Sequence, residues 1–170
     1  HVADAVLASL GAGDDLVLGS SSIIRAADLS PVSPAPPRVF ANRGLAGIDG
    51  TVATATGIAL AGGRTTTVLL GDLTLQHDLG ALVRPAQEPA ARLRIVVADD
   101  GGGSICHGLE QGAPAYADSF ERVFGTPQGV DLAAVGSALG WRSRLVRTHG
   151  ELADALAGDA VLIVDGLSRG

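Results

Sequence analysis

The feature that most constrains this chain is a pair of matched strand ends. Val68-Leu69-Leu70 runs into Gly71-Asp72, and Ile95-Val96-Val97 runs through Ala98 into Asp99-Asp100-Gly101-Gly102-Gly103. Each is a short buried-strand signal that finishes in an acid beside glycine, and Asp72 and Asp99 lie 27 positions apart. That interval holds one helix and a return loop, the length of a right-handed β-α-β crossover. In an open parallel sheet, loops at the carboxyl ends of the strands share one crevice. Two carboxylates and a glycine loop are therefore expected at one edge of the sheet.

The rest of the chain repeats the alternation. Helical spacing covers residues 2–10, 51–61, 131–139 and 150–156, and a helix is expected within 73–83. Strands are expected at 15–19, 38–41, 65–70, 93–97, 142–146 and 161–164, with β-branched residues at the start of the third. A serine of Ser20-Ser21-Ser22 is expected to cap a helix through Leu29. Residues 30–37 form a proline-rich loop. Residues 106–127, with weak periodicity, read as a long loop carrying a short helix near 118–124. Six strands alternating with helices define an α/β class, with a mainly parallel sheet and helices on both faces.

Composition narrows the function classes. The 170 residues suit one domain with a sizeable core, built from Val, Leu, Ile and Ala because aromatics are only 3%. Net charge is −6 and every basic residue is Arg. An acidic chain without a basic run is a poor nucleic-acid binder, and the lack of Lys excludes a Walker A loop or a Schiff-base lysine from this chain. A phosphate must be held by backbone N–H groups, a helix start, Arg or a metal ion. With one cysteine, no membrane-length apolar run and no visible signal peptide, a cytoplasmic setting is expected. The chain begins at His1 and contains no Met, so it is expected to be a piece of a longer protein.

Each candidate site has a plainer reading beside it. Asp72 with Asp99-Asp100-Gly101 suits a Mg²⁺ ion on a diphosphate, which takes one or two carboxylates plus phosphate oxygens; equally, Asp72 caps a helix and Asp99-Asp100-Gly101 makes a turn. Asn42-Arg43-Gly44-Leu45-Ala46-Gly47-Ile48-Asp49-Gly50 spaces glycines three apart, which suits either backbone contact with a ligand or a simple turn with a solvated Arg43. Ser21 and Arg25, four apart on one helix face, suit a bound carboxylate or a cap and a surface Arg. His77, Cys106, His107 and His149 form no zinc pattern. No G-x-S-x-G elbow appears, and no G-x-G-x-x-G loop follows the first strand.

The segment from Asn42 to Gly50, with Gly71-Asp72-Leu73 and Val97-Ala98-Asp99-Asp100-Gly101-Gly102, resembles the thiamine-diphosphate-binding domain of the MenD family. These are the 2-succinyl-5-enolpyruvyl-6-hydroxy-3-cyclohexene-1-carboxylate synthases of menaquinone biosynthesis. The likeness extends through Gly108-Leu109-Glu110-Gln111-Gly112 and Val123-Phe124-Gly125-Thr126-Pro127, from about 16 to 139. The resemblance implies that Asp72 and Asp99, with the carbonyl of Gly101, ligate Mg²⁺ or Mn²⁺. It implies cofactor contacts from Gly47, Ile48, Asp49, Gly71, Asp72, Leu73, Gly102 and Ile105, with Ile48 beneath the thiazolium ring. Ser21, Arg25 and Arg43 match positions that contact substrate or intermediate.

Two residues depart from the pattern: Asp99 stands where an asparagine ligand is usual, and Cys106 where an aromatic is usual. The resemblance further implies a homodimer or homotetramer whose cofactor lies between domains. The glutamate that activates the cofactor would belong to a domain outside these residues, which leaves no catalytic side chain in this chain. The implied reaction is decarboxylation of 2-oxoglutarate followed by addition to isochorismate. The alternative, motivated by Asp99 and Cys106, is a cofactor-free fold retained for subunit association.

Overall fold

In the computed structural model, residues 1–45, 47–158 and 161–166 are described. Six strands form one sheet: β1 (Asp15–Leu18), β2 (Arg38–Ala41), β3 (Thr66–Gly71), β4 (Leu93–Ala98), β5 (Ser143–Val146) and β6 (Leu162–Asp165). Every pairing is parallel, and the spatial order is β2-β1-β3-β4-β6-β5. The chain reverses direction across the sheet twice, once between β1 and β3 and once at β6. Such reversals open crevices at the carboxyl ends of the strands.

The described residues form seven α-helices: α1 (Val2–Ala8), α2 (Ser22–Asp28), α3 (Thr51–Gly62), α4 (Asp72–His77), α5 (Ala117–Phe120), α6 (Leu132–Ala138) and α7 (His149–Ala157). Alternate strand residues divide the core in two. Val17, Val68, Leu70, Ile95, Val97 and Leu162 pack with Val52 and Ala55 of α3, Leu75 of α4 and Leu132 of α6. Leu16, Leu69, Val96 and Ile163 pack with Val6 of α1, Ile23 of α2 and Leu152 of α7. Helices on both faces leave the central strands nothing but apolar neighbours, which is why they read as unbroken apolar runs. Each fully buried Leu or Val stabilises the fold by about 1.5–3 kcal/mol.

Specific polar contacts lock the ends of the elements. At the amino edge, buried Asp15 receives two hydrogen bonds from Arg38, at 2.7 and 2.8 Å, and lies 4.0 Å from Nε of Arg64. Helix α6 is capped by Asp131, whose Oδ1 accepts from Ala134 N–H at 2.9 Å. Helix α7 begins one residue earlier than its spacing suggests, because Thr148 and Glu151 form a capping box. The backbone N–H of Arg147, and then that of Thr148, hold the Glu151 carboxyl below its usual range.

Two expectations change. The serines before α2 do not cap it: Ser21 occupies the cap position but its side chain makes no capping bond. The 106–127 segment carries a helix near 118–124 as expected, but the part before it is not an irregular loop. Residues 104–125 form three consecutive 3₁₀ turns, then α5, then a wide turn over Glu121–Gly125. Among the described residues no helix is long and apolar enough to cross a membrane.

Candidate functional site

The crevice forms at the carboxyl ends of the paired strands β1 and β3. Gly19 N–H donates to the Leu69 carbonyl at 2.8 Å, and a Cβ at Gly19 would lie 2.9 Å from Cβ of Leu70. Glycine therefore lets the end of β1 close onto β3. The chain then turns through Ser21 at φ +79°, ψ −143°. This region is costly for any residue with a Cβ, by about 1–3 kcal/mol. Arg25 folds back from α2 and donates to the Ser21 carbonyl at 2.8 Å, so strained turn and guanidinium are held together.

The glycine segment after β2 forms the facing wall. Gly44 and Gly50 both have positive φ, which is the physical reason for glycine there. Gly50 precedes α3 and has no side chain with which to cap it. The acceptor comes from elsewhere: Oδ2 of Asp78, just past α4, takes N–H bonds from Val52 at 2.6 Å and Ala53 at 3.1 Å. One carboxylate thus ties the helix that follows Ile48 to the helix that opens with Asp72.

The floor is made by the two strand ends. β3 and β4 are paired in register as far as Gly71 and Ala98, so Asp72 and Asp99 emerge side by side, each 4% exposed. The glycine run after β4 is pinned from behind. Gly103 N–H donates to the Gly125 carbonyl at 2.7 Å. A Cβ at Gly102 would strike the Gly125 carbonyl oxygen, and one at Gly103 that of Phe124. The 121–125 turn is therefore part of the site's support.

These elements enclose two adjoining cavities that share Ser20, Ser21, Ile48 and Ile105. The narrow one, about 230 Å³, is also lined by Gly71, Asp72, Leu73 and Gly102. The wide one, about 710 Å³, adds Arg25, Arg43 and Gly47. Ten of the residues singled out from the sequence thus meet in one crevice. Three do not line it. Asp49 lies with Oδ1 tucked against Gly47. Gly101, at φ +88°, donates its N–H to Oδ1 of Asp99 at 3.3 Å. Asp99 itself lines a third cavity of about 280 Å³ with Asp131 and Arg147.

Sequence reasoning missed other lining groups. Asp100, not Asp99, faces the narrow cavity, hydrogen-bonded to Ser104 Oγ. Ser20, Ser22, Thr74 and Phe124 line it too, together with Cys106, which the sequence marks as a departure, and Asp28 lines the wide cavity. The adjacent-acid signal Asp99-Asp100 marks the right corner but not which acid turns inward. Among the histidines, His107 stacks on Phe120 with centroids 4.2 Å apart, and His77 is exposed.

Among the described residues, no cluster of three or more His, Cys, Asp or Glu is arranged to hold a metal ion by side chains alone. A cation beside Asp72 would need backbone and ligand oxygens as well. That donor set fits Mg²⁺, which is bound by few carboxylates and completed by phosphate and water. Buried Asp72 beside glycine loops is a chemical match for a metal-bound diphosphate.

The chain belongs to the thiamine pyrophosphate enzymes: residues 19–162 match the family described as "Thiamine pyrophosphate enzyme, C-terminal TPP binding domain". Within that class it is similar to the 2-succinyl-5-enolpyruvyl-6-hydroxy-3-cyclohexene-1-carboxylate synthase of Nocardia farcinica. The identity is 52% over 161 residues, covering 94% of this chain and 29% of that protein. The synthase of Rhodococcus jostii is 53% identical over 161 residues, covering 92% of this chain and 29% of that protein. The chain therefore spans about three tenths of the length of these curated relatives. Among solved structures, the Rhodococcus jostii thiamine diphosphate-dependent 4-hydroxybenzoylformate decarboxylase superposes with a TM-score of 0.69 at 18% identity. That match covers 96% of this chain and 31% of the other, and it supports the fold alone.

Proposed function

We propose that this chain is the diphosphate- and metal-binding part of a synthase that decarboxylates 2-oxoglutarate and adds the resulting succinyl unit to isochorismate. One observation carries the reading: a narrow, acid-bearing cavity opens directly into a wide cavity with two arginines. The first suits a metal-bound diphosphate and the second suits carboxylates. Both proposed substrates are dicarboxylates, and a guanidinium pairs with a carboxylate in bidentate fashion. Roughly half-identity to the named synthases over most of the chain supports the same assignment.

In this reading Asp72 holds Mg²⁺ or Mn²⁺ with Asp100 beside it in the same cavity, and Asp99 and the carbonyl of Gly101 would have to turn inward from their present positions to act as further ligands. Gly47, Asp49, Gly71, Leu73 and Gly102 border the cofactor, Ile48 supports its thiazolium ring and Ile105 lines the pocket. Bound thiamine diphosphate supplies the electron sink that decarboxylation of a 2-oxo acid requires. The chain's own residues do the rest. Arg25 and Arg43 orient substrate carboxylates, and Ser21, held at positive φ, presents its hydroxyl at the junction of the two cavities. The glutamate that activates the cofactor comes from the part of the protein outside this chain, in a cytoplasmic homodimer or homotetramer.

The test uses the full-length protein with thiamine diphosphate and Mg²⁺. Isochorismate-dependent loss of 2-oxoglutarate in one-to-one ratio is expected, and Arg43→Gln should raise a substrate KM about tenfold. Cofactor binding without that coupled consumption would overturn the substrate assignment. Absence of cofactor binding would favour a module kept only for subunit association, a reading that Asp72 and the likeness to the synthases do not favour.

A further inference from the structure

The amino ends of the strands carry a further, unassigned cavity on the opposite edge of the sheet from the crevice. It has a volume of about 350 Å³ and is lined by Arg84, Arg92, Arg94 and Arg142, with Thr65 and Gly140 at its rim. Four of the twelve arginines of a chain with net charge −6 therefore converge on one bowl. The topology explains how. Thr65 precedes β3, Arg92 and Arg94 flank the first residue of β4, and Arg142 precedes β5. Backbone bonds lace these starts together, from Thr66 N–H to the Arg92 carbonyl at 2.9 Å and from Val161 N–H to the Arg142 carbonyl at 3.1 Å.

The neighbouring strand starts are built differently. There, Arg38 and Arg64 both face buried Asp15. Among the described residues, Arg84, Arg92 and Arg94 make no ion pair with a carboxylate; Glu88 shares an adjacent slot with Arg84 but does not line the bowl. Two of these side chains are nonetheless held in place. Arg84 lies 3.8 Å over the ring of Trp141, which is 5% exposed and donates to the Leu82 carbonyl at 2.8 Å. Arg94 donates to the Gly158 carbonyl at 3.3 Å. The like charges of Arg84, Arg92 and Arg94 around a concave space repel unless an anion joins them, and planar guanidiniums match carboxylate and phosphate oxygens. The volume lies in the range of small-ligand sites.

We propose that this bowl binds a small polyvalent oxyanion, a phosphate or a polycarboxylate, independently of the cofactor crevice. The test is calorimetric titration of the full-length protein with inorganic phosphate and, separately, with citrate, against chloride at matched ionic strength. Saturable binding of either anion is expected, and whichever saturates identifies the source of the oxyanion. Arg92→Gln/Arg94→Gln should weaken it at least tenfold while leaving the melting temperature nearly unchanged, and Arg122→Gln, on the 121–125 turn, should leave the affinity unchanged. No saturation beyond chloride would overturn the proposal, including the case in which the rest of the polypeptide fills the bowl. Equal affinity in the double variant would overturn it too.

Discussion

The ends of β3 and β4 look equivalent in the sequence and behave differently in the fold. Both strands are buried apolar runs, both finish beside glycine, and both deliver an acid that is 4% exposed. After β3 the chain enters α4 at once, so Asp72 stands at the first helical position facing the narrow cavity. After β4 it enters a glycine turn, where Asp99 folds back to accept from Gly101 N–H and faces the cavity on the far side. The element next in the chain, helix or turn, decides where a strand's terminal acid points. The sequence pattern marks the corner, and the next three residues choose the direction.

The sharpest way to break the comparison is to remove each acid in turn. In the full-length protein, Asp72→Asn should lower cofactor-dependent turnover about 100-fold or more while leaving the melting temperature nearly unchanged. The supporting glycines come next. Gly102→Ala should destabilise by about 2–3 kcal/mol in urea unfolding, because its Cβ meets a carbonyl oxygen at a backbone φ of +136°. Gly80→Ala, with open space around it, should change stability by less than about 0.5 kcal/mol. Asp78→Ala should cost about 1–2 kcal/mol, since it strips the N–H acceptors from the start of α3. A smaller effect than that of the lost cap is expected from Asp99→Asn, which keeps an acceptor for Gly101 N–H while removing a negative charge from the strand end beside Asp72. The substitution should tighten cofactor binding about threefold, by titration, without changing stability.

Most of the framework was legible in the residues. Each strand lies within a residue or two of its apolar run, because parallel strands covered on both faces tolerate few polar interruptions. The crevice was legible too, since strand–acid–glycine repeats at two neighbouring strand ends. The rest depends on contacts distant in sequence. Asp78 caps a helix more than twenty positions upstream, a pairing no local spacing announces. The turn at Ser21 looks like an ordinary serine cap until its φ is seen. Asp99 and Asp100 are adjacent identical acids, and the glycine turn that separates their directions is held by the packing of Gly102 and Gly103 against the 121–125 turn.

The central claim is that Asp72 anchors the metal through which this domain holds thiamine diphosphate. Titration of Mg²⁺ into the full-length protein at saturating thiamine diphosphate, followed by calorimetry for the unsubstituted chain and for Asp72→Asn, tests it most directly. Saturable metal uptake is expected in the unsubstituted protein, with at least about 100-fold weaker uptake in Asp72→Asn. Equal metal affinity in the two proteins would contradict the claim.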